Sequence, residues 1–167
     1  MKNYFFLLLI VFNSLNIKAQ ENETTTYYFI RHAEKVRTDK ANKNPDLTIK
    51  GQERAENWNS VFGSVNFDLI YSTNYNRTIQ TATPTAKSKN LKIQFYNPRE
   101  LFSEGFKEQT RDKTVLIVGH SNTTPLFVNK VLGIEKYDAI NDRNNSNLYI
   151  VTISNTIIND VLLKIER

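Results

Sequence analysis

The chain has 167 residues, 40% of them hydrophobic and 11% aromatic, which is enough for one domain with its own buried core. It carries 22 basic and 17 acidic residues, for a net charge of +5, with no cysteine and two histidines. These counts exclude thiol nucleophiles, cysteine zinc sites and disulfides, and they argue against a histidine-rich metal centre. No lysine–arginine cluster interleaved with aromatics suggests nucleic-acid binding.

Residues 1–19 read as a secretory signal peptide: Lys2 gives a positive start, Phe5 to Phe12 an apolar stretch, and Ala19 a small residue for cleavage. The stretch is short for a membrane span, and an uncleaved N-terminal anchor is the alternative. Cleavage after Ala19 would leave residues 20–167 as one domain, periplasmic or secreted, with a net charge of about +3 and no stable membrane insertion.

A first strand is expected at Tyr27 to Ile30, then a polar loop from Val36 to Asp46. Thr48 can cap a helix whose inner face is Ala55, Trp58, Val61 and Phe62. Asp68 to Ser72 reads as a second strand, leading into a helix with Ile79, Ala82 and Ala86, which Pro84 should kink or restart. Leu91 to Tyr96 reads as a third strand, and the charged segment from Asn97 to Lys113 holds at most one short helix. Thr114 to Val118 is the central buried strand. Thr124 and Pro125 open a helix through Leu132 that Gly133 stops, and two strands follow, Leu148 to Ile153 and Ile157 to Ile165. This alternation predicts an α/β fold: a three-layer α/β/α sandwich with a mostly parallel central sheet.

Both histidines sit just after short apolar strands. Tyr27-Tyr28-Phe29-Ile30 runs into Arg31-His32-Ala33-Glu34, and Val115-Leu116-Ile117-Val118 runs into Gly119-His120-Ser121-Asn122. Open α/β sheets bind ligands at the carboxyl ends of their strands, so both rings are expected at the functional crevice.

Three blocks resemble the histidine phosphatase superfamily, the phosphoglycerate mutase-like family: Arg31-His32-Ala33-Glu34, Ser72 with Arg77-Thr78 and Gln80-Thr81-Ala82, and Gly119-His120. Leu47-Thr48 and Gly51 fit the helix entry between the first two, and the resemblance runs from about Tyr27 to Leu132. It implies a histidine acid phosphatase-type phosphoric monoester hydrolase with His32 as nucleophile, and Arg31, Arg77 and His120 on phosphate. Chemistry agrees, because a phosphoryl group with charge on three oxygens needs several fixed cationic donors. Arginine forks suit phosphate, and nearby cations keep a ring nitrogen of His32 unprotonated. Ser121 is rejected as a hydrolase nucleophile, because that turn wants glycine where Thr123 stands. Trp58, Phe62, Tyr27 and Tyr28 are assigned to the core.

Dephosphorylation also needs an acid to protonate the leaving oxygen. The acid-phosphatase branch has an aspartate directly after the second histidine, where this chain has Ser121. The mutase-like branch has a glutamate beyond the second block, and Glu100, Glu104 and Glu108 fall in that window. Glu100 is favoured for its place just past the third strand, with Glu34 as a rival. The modest stretch between Arg77 and His120 leaves no room for a large cap domain, so an open pocket is expected. Such a pocket would take a phosphorylated small molecule, sugar, lipid-linked phosphate or protein. The expected function is an exported, metal-independent phosphomonoesterase acting through a phosphohistidine and needing no cofactor. A phosphomutase of the same fold and an inactive phospho-ligand binding domain are the alternatives.

Overall fold

The computed structural model describes residues 23–166, and the signal peptide read at residues 1–19 lies outside them. The elements run β1 (Thr24–Arg31), α1 (Ile49–Val61), β2 (Leu69–Ser72), α2 (Asn76–Ser88), β3 (Ile93–Phe95), α3 (Glu104–Thr110), β4 (Thr114–Gly119), α4 (Thr123–Leu132), β5 (Asn147–Ser154) and β6 (Ile157–Lys164). They build a mixed sheet of strand order β3-β2-β4-β1-β5-β6. The β3-β2-β4-β1 half is parallel, and β5 and β6 add on antiparallel.

The unbroken apolar run of β4 is explained by cover on both faces. On one side Val115 and Ile117 pack with Tyr27, Phe29 and Tyr71 beneath Phe106 of α3 and Phe127, Val128 and Val131 of α4. On the other, Leu116 and Val118 join Ile30 and Ile70 beneath Trp58 of α1 and Ala82 and Ala86 of α2. The expected three layers are thus present. The β5–β6 hairpin is less covered: Ile157, Ile158, Val161, Leu162 and Leu163 of edge strand β6 are all exposed.

Several boundaries differ from the sequence reading. β1 starts three residues early, because Thr24 to Thr26 pair with Ser154 to Thr152 of β5 and β-branched threonine fits a pleated surface. Helix α2 runs through Pro84 as one element. Thr81 and Thr83 donate their hydroxyls back to the carbonyls of Arg77 and Ile79, and Ala82 and Ala86 stay seated in the core. The α4 cap is Asn122 rather than Thr124, whereas Gly133 ends the helix in the left-handed conformation (φ 72°). Val61, expected on the inner face of α1, is exposed.

The topology places the site. From β1 the chain crosses through α1 to β2 on one side, and from β4 it crosses through α4 to β5 on the other. The strand order therefore reverses between β1 and β4, the place where such sheets open a crevice. There Arg31 pairs with Gly119 in register, and the His32 N–H donates to the Gly119 carbonyl at 2.9 Å.

Candidate active site

Both histidines emerge at this crevice, their ring centroids 5.6 Å apart. His32 is 3% exposed. Its Nδ1 lies 2.7 Å from the carbonyl oxygen of Ala33. A carbonyl can only accept, so Nδ1 carries the hydrogen and Nε2 is left with its lone pair. Burial first, then the neighbouring Arg31, His120 and Arg77, push the His32 pKa down to about 3. The ring is therefore neutral at ordinary pH. The backbone around it is tied on both sides: Asn145 donates to the His32 carbonyl at 2.7 Å, and the Ala33 N–H donates to Thr81 Oγ1 of α2 at 2.9 Å.

His120 is held by side chains. Arg77 Nη2 approaches its Nδ1 at 3.4 Å, and a guanidinium can only donate. Nε2 then bears the hydrogen, directed to Thr73 Oγ1 at 2.9 Å. Thr73 Oγ1 meets Thr78 Oγ1 at 3.0 Å, and Thr78 donates on to backbone carbonyls. Burial, then Arg77, Arg31 and Lys35, lower the His120 pKa to about 4. Gly119 is required beside it, because a Cβ there would stand 2.7 Å from both Thr124 Oγ1 and the Tyr96 hydroxyl.

The arginines split their donors. Arg31 is almost fully buried: Nη1 donates to the carbonyls of Asn141 and Asn144, and Nη2 to Asp142 Oδ1 at 2.6 Å. Its Nε has no protein partner. Arg77, in the first turn of α2, stacks over the Tyr75 ring at 4.4 Å, with Nε and Nη1 buried and unpartnered. Burial lowers both guanidinium pKa values, with no loss of charge at neutral pH. Buried N–H groups without acceptors are costly, and three of them beside one pocket fit an anion with several oxygens. The pocket, about 330 Å3, is also lined by Lys35, Pro98, Ser121, Asn122, Thr123 and Asp142. Ser121, Asn122 and Thr123 bring the amino end of α4 to the same place.

Arg31, His32, Arg77 and His120 thus converge as expected, but Glu100 does not join them. A turn after β3, with the Glu100 N–H donating to the Asn97 carbonyl, leaves Pro98 at the pocket. Glu100 opens instead into a separate groove with Tyr71, Phe95 and Phe106. Glu34 is gripped by Arg54 through three hydrogen bonds of 2.8 to 3.0 Å, Glu104 pairs with Lys107, and Glu108 is exposed. The carboxylate that does line the pocket is Asp142. Hydrogen bonds from Arg37 and Arg31 hold its pKa near about 2. No group of three or more His, Asp or Glu side chains placed to hold a metal occurs among the described residues.

Sequence reasoning missed Lys35, Thr73, Asp142 and Asn145. Lys35 could have been found, since it directly follows Arg31-His32-Ala33-Glu34. The others reach the site only through tertiary contacts.

Residues 27–98 match the family model described as Histidine phosphatase superfamily (branch 1). No curated protein matches in sequence. Among solved structures, YhfR of Bacillus stearothermophilus aligns with TM-score 0.66 at 13% identity, covering 86% of this chain and 98% of that one. The alpha-ribazole phosphatase of Shigella flexneri aligns at TM-score 0.62 and 16% identity over 85% and 98% of the two chains. Phosphoglycerate mutase of Bacillus anthracis str. Sterne gives 0.62 and 16% over 85% and 93%. These are likenesses of fold. Residues 27–98, which span the first two sequence blocks, thus carry a histidine phosphatase superfamily (branch 1) match, on an α/β fold like that of phosphoglycerate mutase.

Proposed function

We propose that this protein is an exported, metal-independent phosphomonoesterase that turns over through a phosphohistidine on His32. The observation that carries this reading is one neutral imidazole with a free Nε2 in a pocket where Arg31 Nε and Arg77 Nε and Nη1 lack acceptors. A phosphoryl group bound by those donors presents its phosphorus to Nε2. Attack forms the P–N bond as the P–O bond to the leaving group breaks, and water then cleaves the P–N bond to release phosphate. The arginines act at the charge that develops on the equatorial oxygens. His120 joins them as a donor when it takes a second proton at Nδ1, which a bound phosphate dianion favours.

Export rests on Lys2, the apolar stretch Phe5 to Phe12 and Ala19. No helix among the described residues is long and apolar enough to cross a membrane. A location outside the cytosol favours hydrolysis over mutase chemistry. The substrates are phosphorylated small molecules, sugars or proteins able to reach an open pocket.

The deciding experiment is phosphate release from 4-nitrophenyl phosphate by residues 20–167 with a chelator present, beside His32→Ala. Turnover that survives chelation and is lost in His32→Ala is the expected result. A parent protein that is stabilised by phosphate yet releases none would support the inactive binding domain instead.

A further inference from the structure

Breaking a P–O bond to an alkyl group requires a proton at the leaving oxygen. The carboxylates expected to supply it lie elsewhere in the fold, and Asp142 is an ionised acceptor tied to Arg31 and Arg37. His32 is the nucleophile. In the reading above His120 directs its added proton to phosphate, and in the free site both its ring nitrogens are engaged, by Arg77 and by Thr73. Arginine does not release its protons in a protein.

Lys35 remains. It follows the nucleophile by three residues, and its backbone is pinned where β1 leaves the sheet, by the bridge to Leu47 and by the Val36 N–H donating to the Asp46 carbonyl. Its side chain lines the pocket with His32 and is only partly exposed. The ammonium makes no hydrogen bond or ion pair with the described residues, unlike Arg37 beyond it, which Asp142 holds.

We propose that Lys35 is the proton donor to the leaving group, an assignment that rests on the phosphatase reading above. As His32 Nε2 bonds to phosphorus, the electron pair of the breaking P–O bond passes to the leaving oxygen, which takes a proton from Nζ and departs as an alcohol. Lys35 is left as a neutral amine. In the second half-reaction it accepts the proton of the attacking water, the P–N bond returns its pair to His32, and phosphate leaves. Both residues end as they began.

The surroundings suit the role. Burial, then Arg77 on α2, Arg37 on the loop after β1 and Arg31 at the end of β1, lower the Lys35 pKa. Asp142, from the loop before β5, opposes them, and Lys35 in turn acts on His120 beyond β4. The balance eases release of the proton in a site already crowded with positive charge.

The test compares Lys35→Arg, which keeps the charge but gives up no proton, and Lys35→Met on two substrates. 4-Nitrophenyl phosphate has a leaving group that departs without an acid, and glycerol phosphate does not. Both variants are expected to lose about 10²- to 10⁴-fold in turnover of glycerol phosphate and less than about tenfold with the nitrophenyl ester. The alkaline fall of kcat on glycerol phosphate in the parent should also vanish in Lys35→Arg. Unchanged glycerol phosphate turnover in Lys35→Arg overturns the proposal in favour of charge alone, as does an equal loss on both substrates in favour of phosphate binding. A parent inactive on both substrates removes the phosphatase reading itself. A matching phosphate-induced rise in Tm in parent and variants confirms that the pocket still forms.

Discussion

His32 and His120 close neighbouring strands and face one pocket, yet they are held in different ways. The ring of His32 is fixed by the carbonyl of the very next residue. The ring of His120 is fixed by Thr73 and Arg77, 47 and 43 residues away, and stands edge-on to Tyr75 at 5.2 Å. Both rings are neutral for the same reason, burial among guanidinium groups. The free lone pair of His32 is thus set by local backbone geometry, whereas the tautomer of His120 is a property of the assembled tertiary structure.

The sharpest way to break that comparison is to trap the intermediate. With labelled phosphoryl donor, His32→Gln should yield no base-stable phosphoprotein, a loss of at least about a thousandfold, while His120→Gln should still accumulate label slowly. The reverse pattern would exchange the two roles. A smaller effect is expected from Thr73→Val, which frees His120 to take the other tautomer. Turnover should fall on the order of tenfold and recover in Thr73→Ser, as steady-state kinetics at matched Tm would reveal. Failure of the serine variant to restore activity would show that Thr73 serves packing alone.

The smallest effect is on stability. The folded-state pKa values of about 3 for His32 and about 4 for His120 lie below the ordinary histidine value of about 6.5. Between about pH 6.5 and 4 the unfolded chain therefore binds protons that the folded chain does not, so stability falls as pH falls through that window. Denaturant midpoints measured from pH 7 to 4.5 should decline, and the decline should be shallower in His32→Gln. An equal slope in parent and variant would remove His32 from the account.

Much of this arrangement was legible in the sequence because it is local. Thr48 caps α1 through its hydroxyl to the Gly51 N–H, and Gly51 is needed where a Cβ would meet the Glu34 carbonyl oxygen at 2.1 Å. The apolar runs of β1 and β4 announced buried parallel strands, and the residues after them announced the crevice. What was not legible depends on distance along the chain. Thr73 reads as an ordinary loop residue until β4 brings His120 beside it. Asp142 and Asn145 read as a polar connection until β5 docks on β1. Glu100 follows a strand in the chain, but one turn at Asn97 sets it in a separate groove, which its sequence position does not reveal.

The clamp on Arg31 has a consequence for the life of the chain. Its three acceptors come from Asn141, Asp142 and Asn144, and the bond that steadies the His32 carbonyl comes from Asn145, all more than 100 residues downstream. Contacts so distant in sequence form late, after the loop-closure cost has been met. A nascent chain that has just emerged with Arg31 and His32 therefore has no fixed imidazole and no oriented guanidinium. The proposed phosphate site is complete only when nearly the whole polypeptide is made and docked, so on that reading a ribosome-bound chain is chemically silent toward the phosphate esters around it.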